Sequence, residues 1–439
     1  MEIGFIGIEL EAQKLLLRIE KKGYSVSIFD KNENLLNDFM PSLKDKNIKG
    51  YKSIDKFVQS LKKPTIIFIM VADDMIDVIL DELAPYLLVT DIVINCSNTY
   101  YLNTERRAIK HFFNFIFVGC GVLSEDNGAK NDPCLMPGGS INAWPTIKKL
   151  FHDISAKYER DGKIVFCCDW IGPGGSGQFV KMVHDGIKCS EMAILSEVYL
   201  CLKGSGMETT RISKLFSEWN EENGSYLLET ASKILGQRED NIHIINKVVQ
   251  QAPKEIVSEW FLKTAMECNE SAVINAESIF SRILSCKNEK AFFLYKNLSI
   301  EAYDYELPIS HLKHAYILAR TVAYIQGFNL IKNMSNKRNW KIDLNVVARI
   351  WQCGSVIRSD FLEEIQNIIS DENDELEFRQ EYLKIIQKTI LGLRMTILFS
   401  ISKGIPVPAM KACLSYLDGL IDQRIPGEIV QWIHDYKDA

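Results

Sequence analysis

A glycine that ends a short apolar run and opens a helical pattern is an arrangement that can seat a pyrophosphate. Glycine lets the backbone approach the anion, and the first N–H groups of the helix point at it. Here the segment reads Gly7-Ile8-Glu9-Leu10-Glu11-Ala12. Gly7 holds the tight-turn position. Ala12 is small enough for the third position, where the helix must pack closely. Glu9 stands where a second glycine would let the backbone meet the phosphates, and Glu11 adds a carboxylate nearby. Two like unit charges about 4 Å apart repel by roughly 4 kcal/mol at an effective dielectric near 20, nearly a thousandfold in affinity. The same carboxylates suit a helix first turn, where they interact with the macrodipole in place of a phosphate. Asp30 comes 23 residues after Gly7 and ends a second apolar run. An acidic side chain there bonds ribose hydroxyls and rejects a 2′-phosphate, which Lys31 would offset.

Other chemistries have less support. The 11 cysteines are scattered, and the tightest pair, Cys167-Cys168, is adjacent rather than spaced as metal ligands are. No metal is expected, and the thiols read as reduced. With 57 acidic and 51 basic residues, net charge −6, the chain has no basic field to track a nucleic-acid backbone. No apolar run is long enough to predict a membrane span. The opening Met1-Glu2-Ile3-Gly4-Phe5 begins directly as a strand, without the charged-then-apolar order of a secretory signal. The expected location is cytoplasmic.

The elements that must position the turn can be read from apolar periodicity. Ile3 to Ile6, Tyr24 to Phe29, Thr65 to Met70, Asp91 to Asn95, Phe115 to Val118 and Ile164 to Cys168 read as strands. Glu11 to Lys22 reads as a helix that Gly23 ends. This alternation predicts a parallel sheet with helices on both faces. Gly172-Pro173-Gly174-Gly175-Ser176-Gly177 is a breaker cluster, with Ser176 a candidate cap for the next helix. Helical patterns then run from Gln178 to about Leu202, Thr210 to Asn220, Ser225 to Leu235, Trp260 to Ser285, His311 to Ile331 and Glu375 to Ser402. The predicted fold is an α/β Rossmann-type dinucleotide-binding domain over residues 1–175, then a large all-α domain over 176–439.

Several longer segments support a family resemblance. They are 131–145 (NDPCLMPGGSINAWP), 167–186 (CCDWIGPGGSGQFVKMVHDG), 115–121 (FIFVGCG), 323–331 (AYIQGFNLI), 350–365 (IWQCGSVIRSDFLEEI) and 404–418 (GIPVPAMKACLSYLD). In order along nearly the whole chain, they resemble 6-phosphogluconate dehydrogenase. The resemblance implies a Rossmann domain that carries NADP, a helical second domain, and a homodimer, or a heterodimer with a paralogue. The implied reaction is oxidation of 6-phosphogluconate at C3 with decarboxylation to ribulose 5-phosphate.

The resemblance also implies site residues. The family's catalytic lysine matches Lys181, and His184 and Asn98 match the histidine and asparagine beside it. The asparagine after the histidine is Asp185 here. The catalytic glutamate, two turns beyond the lysine, is Lys188, a second cation on the same helix face. The tyrosine that touches the substrate phosphate is Cys189. The serine-glycine-glycine substrate loop is Leu123-Ser124-Glu125, and a lysine-bearing loop is Ala72-Asp73-Asp74. The phosphate lysine and threonine are Glu259 and Phe261, while Arg282 keeps the arginine. A tail that would reach the partner's site is expected to be missing after Ala439. These changes lead to the expectation of a catalytically impaired or inactive member that keeps the fold for binding or regulation. The alternative is an active NAD(P)-dependent oxidoreductase of the pentose phosphate pathway, or one acting on a related hydroxyacid.

Overall fold

The structure, a computed structural model, describes residues 2–124, 132–239, 242–247, 256–286, 303, 305–369, 376, 379–421 and 427–437. Seven strands form one sheet: β1 (Glu2–Ile6), β2 (Ser25–Phe29), β3 (Ile48–Tyr51), β4 (Ile66–Ile69), β5 (Ile92–Asn95), β6 (Ile116–Leu123) and β7 (Cys134–Gly139). Their spatial order is β3-β2-β1-β4-β5-β6-β7. All neighbours are parallel except β7, which runs antiparallel to β6. The order reverses between β1 and β4, which is where an open α/β sheet leaves a crevice at its strand C-termini. Helices α1 (Leu10–Lys21), α2 (Glu33–Phe39), α3 (Ile54–Gln59), α4 (Asp73–Leu83), α5 (Tyr101–Lys110) and α6 (Trp144–Ile154) accompany the sheet. The core strands β4 and β5 are fully buried, as runs of β-branched and aromatic residues between two helix layers must be.

The α/β-then-helical architecture is as expected, with four local differences. Strands β3 and β7 were not predicted: Ile48–Tyr51 carries two exposed residues, and Cys134–Gly139 has the composition of a turn. Ile164 to Cys168 does not join the parallel sheet. Instead β8 (Lys157–Arg160) and β9 (Lys163–Phe166) make a separate hairpin across Asp161-Gly162, both at positive φ, the geometry of a tight two-residue turn. Cys168 meets the sheet at a backbone bridge to Leu135. The single helix expected from Trp260 to Ser285 is two, α10 (Ile256–Glu267) and α11 (Val273–Ser285). Asn269 adopts the left-handed conformation at φ 52°, and Glu270 N–H returns to the Ala265 carbonyl, which ends the first helix.

Helix α7 (Ser176–Gly204) joins the two halves. Ser176 does not cap it: Gly175 is the N-cap, and the Ser176 hydroxyl is buried without a partner. The N-terminal half of α7 lies directly on β6 and β7. A side chain on Gly177 would sit 2.1 Å from the Met136 carbonyl, and one on Gly121 would sit 2.6 Å from Lys181 Cβ. Both glycines therefore set how closely the helix approaches the sheet. The Gln178 amide clamps the same contact, donating to the carbonyls of Asn95, Ser97 and Cys120 at 3.1–3.3 Å.

The helical half continues with α8 (Thr209–Glu221), α9 (Tyr226–Gly236), α10, α11, α12 (Ile309–Arg338), α13 (Leu344–Ile350), α14 (Phe361–Ile369), α15 (Gln380–Lys403), α16 (Pro408–Ile421) and α17 (Gly427–Lys437), of which α8, α10, α11, α12, α15 and α16 pack on α7. Val180, Val183, Ile187, Ile194 and Val198 are fully buried along it, each contributing about 1.5–3 kcal/mol relative to exposure. Among the described residues, one helix, α15, is long and apolar enough to cross a membrane by length and composition, although no apolar run predicted a span. It packs on α12, where Gly392 lies against His311 and His314, as a core helix also does.

A buried polar network fixes α7 against α12. Glu191 accepts hydrogen bonds from Tyr316 at 2.9 Å and Tyr324 at 3.0 Å, and Arg320 lies 3.9 Å away while donating to Asn223 at 3.1 Å. Burial raises the Glu191 carboxyl, and Arg320 and the two phenols pull it back. Removing one charge from such a pair leaves the other uncompensated. Arg320→Met is expected to cost about 3–5 kcal/mol in urea unfolding. The double variant Glu191→Gln/Arg320→Met should cost clearly less than the sum of the singles. Additive losses would contradict the pairing.

Candidate active site

Lys181, Asp185 and Lys188 occupy one face of α7, one and two turns apart. The Lys181 ammonium donates to Asp185 Oδ2 at 2.6 Å, and Lys188 Nζ lies 3.6 Å from Asp185 Oδ1. Lys188 is thus not a bare second cation beside Lys181, as its type suggested. The Asp185 carboxylate lies between the two. His184 is fully buried; its Nδ1 is 3.2 Å from Asp185 Oδ1 and its Nε2 is 2.8 Å from Ser355 Oγ. An ionised carboxylate only accepts, so Nδ1 carries the proton and Nε2 accepts from the serine hydroxyl.

The electrostatics derive from this geometry. Burial opposes ionisation of Asp185, but Lys181, the His184 hydrogen bond and Lys188 together outweigh it and hold the carboxyl well below the usual range. Burial pushes His184 down, Asp185 opposes that, and the two lysines add to it. The imidazole is therefore neutral in the folded protein near neutrality.

The other predicted residues fall into distinct places. Asn98 is exposed at the C-terminal edge of β5, on a loop held by Ser97 and Asn95. Leu123 is buried in the core and Ser124 half-buried, while Glu125 lies outside the described residues. Asp73 starts α4 and is tied to Arg107 at 2.7 Å and Thr99 at 2.8 Å, so it serves packing. Glu259 is exposed on α10. Phe261 does not line the site: it is 2% exposed and packs on Gly186, where an added side chain would meet its ring at 2.4 Å. An aromatic ring gains more from that apolar slot than from a polar cleft. Its neighbour Trp260 stacks near Tyr100, ring centroids 5.3 Å apart. Cys189 and Arg282 are half-buried. Sequence reasoning missed Ser355, Gln178 and Asn275, whose amide donates to the Gly186 carbonyl at 2.8 Å.

The turn after β1 retains the geometry that a dinucleotide needs. Gly7 has φ 94°, and a side chain there would lie 2.2 Å from the Met70 carbonyl. Ala12 is buried against the sheet. Glu9 is the N-cap of α1 but makes no side-chain cap, which leaves the first-turn N–H groups without a capping side chain among the described residues. Glu9 and Glu11 are both exposed, and Glu11 is paired with Lys14 at 2.6 Å. Asp30 accepts from the N–H of Ile8 at 3.0 Å and of Asn32 at 2.8 Å, bracing the turn. Lys31 is paired with Glu82 at 2.6 Å. The residues fit a dinucleotide, with an uncapped helix N-terminus for the pyrophosphate and an acidic rim around it. Among the described residues, no cluster suited to a metal ion is present.

The depressed His184 gives a pH signature. The unfolded chain binds a proton at His184 more readily than the folded one. Its contribution is complete above the ordinary histidine value of 6.5 and is lost progressively as pH falls from there through the lower folded-state value. The urea midpoint of the parent protein should fall between pH 7 and pH 5.5, and His184→Gln should flatten part of that fall. An unchanged slope in the variant would show that His184 is not the group responsible.

The comparisons with known proteins agree with this architecture. The description "NAD binding domain of 6-phosphogluconate dehydrogenase" matches residues 2–172, and "6-phosphogluconate dehydrogenase, C-terminal domain" matches residues 177–437. The decarboxylating 6-phosphogluconate dehydrogenase of Buchnera aphidicola subsp. Schizaphis graminum is 33% identical over 453 residues, covering 100% of this chain and 94% of that protein. The Saccharomyces cerevisiae protein named "6-phosphogluconate dehydrogenase, decarboxylating 2" is 32% identical, covering 100% and 91%. The Plasmodium falciparum enzyme, solved in its apo form, with its cofactor NADP+ and with its substrate 6-phosphogluconate, superposes with a TM-score of 0.90 at 28% identity, over 98% of this chain and 95% of that one. With both halves matched and close to its whole length shared with such relatives, the chain belongs to the 6-phosphogluconate dehydrogenase family.

Proposed function

We propose that the chain is an active nicotinamide-dependent oxidoreductase acting on a hydroxyacid, 6-phosphogluconate or a close relative, with Lys181 as the proton acceptor. The observation that carries this reading is Lys181 itself, held on α7 against Gly121 and paired to Asp185, in a fold shared with named enzymes over nearly its whole length. A bound NAD or NADP would supply the hydride acceptor, and Gly7, Ala12 and the first turn of α1 would hold its pyrophosphate. The chain's own residues do the rest. Lys181 would give up its ammonium proton to solvent and, as the neutral amine, leave Asp185 to take the hydroxyl proton. Asp185 holds Lys188 and orients His184, and Ser355 fixes the imidazole from the other side. Asn98 follows β5 at the same end of the parallel sheet as the dinucleotide turn after β1.

A second reading, a member that keeps the fold for binding or regulation with little turnover, is favoured by three specific substitutions. The acid position carries Lys188, the phosphate-lysine position carries an exposed Glu259, and the threonine position carries the core residue Phe261. For either reading the expected assembly is a pair of chains, this one twice or with a paralogue, in the cytoplasm. Exposed Leu391, Ile401, Trp432 and Ile433 on α15 and α17 support an interface on the helical domain.

Steady-state oxidation of 6-phosphogluconate and of unphosphorylated hydroxyacids, with NAD and NADP, separates the two readings. Lys181→Met should lower kcat by about 10²–10⁴ while leaving the dinucleotide Kd unchanged. A variant as fast as the parent would remove Lys181 from the chemistry. Absence of turnover with every pair would favour the second reading. The acidic rim makes a separate prediction for calorimetry: Glu9→Ala should tighten NADP by about tenfold at low salt, less at high salt. Unchanged affinity would mean that Glu9 turns away from the phosphates.

A further inference from the structure

Two cysteines outside the site chemistry are brought together from opposite halves of the chain. Cys353 lies in the turn after α13, and Cys167 in the segment after β9. Both segments border the start of β7. The Gly354 carbonyl accepts from Cys134 N–H at 3.2 Å, and Leu135 N–H donates to the Cys167 carbonyl at 3.0 Å. A side chain on Gly354 would sit 2.8 Å from the Cys134 nitrogen and from Ala156 Cβ, so the 353–355 segment lies flat on this strand end. Cys167 and Cys353 pack in the same core cluster, and the Cys353 side chain is the largest influence on the Cys167 thiol, which it raises. Cys353 is partly exposed and Cys167 is fully buried. Two residues beyond Cys353, Ser355 holds the His184 ring.

We propose that Cys167 and Cys353 form an oxidation site at which a hydroperoxide joins the sheet domain to the helical domain by a disulfide. Cys353 meets the oxidant. Its sulfur forms a bond to a peroxide oxygen as the O–O bond breaks, giving a sulfenic acid and an alcohol or water. The Cys167 sulfur then forms the S–S bond as the S–O bond breaks, and water leaves with the thiol proton. Two thiols lose two electrons and the peroxide gains them. Contact with Cys353 and burial both raise the Cys167 thiol, so the buried Cys167 is the poorer first nucleophile and the partly exposed Cys353 is the one that meets the oxidant. A disulfide S–S bond of ~2 Å is shorter than a thiol contact. Forming it would draw the 353–355 segment inward and displace the Ser355 partner of His184. Cys96 and Cys120 share the other core cluster and Cys120 raises Cys96, but both are buried and serve as an internal control.

The test is peptide mapping of the full-length protein after hydrogen peroxide, without reductant. Trypsin places Cys167 and Cys168 in segment 164–181 and Cys353 in segment 350–358. The expected product is a dithiothreitol-sensitive link between these two segments. It should persist in Cys168→Ser and vanish in both Cys167→Ser and Cys353→Ser, with Cys96 and Cys120 unlinked. Cys353→Ser alters a partly exposed turn position and keeps the test valid should Cys167→Ser fold poorly. Cys353 oxidised to sulfinic acid without a link, a link that survives Cys167→Ser, or no reaction at excess peroxide would each overturn the proposal.

Discussion

The ion pair between Lys181 and Asp185 organises the site. It is short, largely buried, and shared, because the same carboxylate also holds Lys188 and the His184 ring. Helical spacing makes this possible: residues one and two turns apart lie on one face. The sheet makes it precise. Close glycine contacts and the Gln178 clamp bring this turn of α7 down on β6 and β7, so that the lysine lies above the strand ends rather than in solvent. A largely buried carboxylate with two cations leaves a modestly positive site.

The dinucleotide end of the crevice is built on a different balance. The backbone features are retained: Gly7 in its left-handed conformation, a buried Ala12, and a helix N-terminus whose first N–H groups meet no side-chain cap. The side chains around them are acidic. Glu11 is neutralised by Lys14, and Lys31 is spent on Glu82. Glu9 therefore carries the electrostatic cost at this end. Exposed carboxylates are screened by solvent and salt, so the penalty in water is smaller than the bare Coulomb figure.

Much of this was legible in the sequence, for physical reasons that differ by element. Apolar runs of period two and 3.6 marked the buried strands and α7, because burial on two faces leaves few other compositions. Strand β7 escaped, since Pro137-Gly138-Gly139 looks like a turn when its partner strand is not visible. The break at Asn269 was signalled only by a residue type that tolerates left-handed geometry. At the site, the position of each altered residue was readable but not what it touches. Asp185 stands four residues after Lys181 and three before Lys188, a spacing that already allowed the shared ion pair. The pairing of His184 with Ser355 joins residues far apart in sequence, and nothing local announces it. Phe261 looked like a lost substrate contact until the slot over Gly186 gave it a packing role.

The central claim is that a hydroxyacid bound at this lysine cluster gives a hydride to a nicotinamide while Lys181 takes the hydroxyl proton. The most direct measurement is a single turnover at high protein concentration, with 6-phosphogluconate and saturating NADP or NAD, monitoring reduced nicotinamide and released carbon dioxide together. The account predicts reduced nicotinamide approaching one equivalent per chain, matched by carbon dioxide. Bound dinucleotide and substrate with no reduced nicotinamide formed would contradict it.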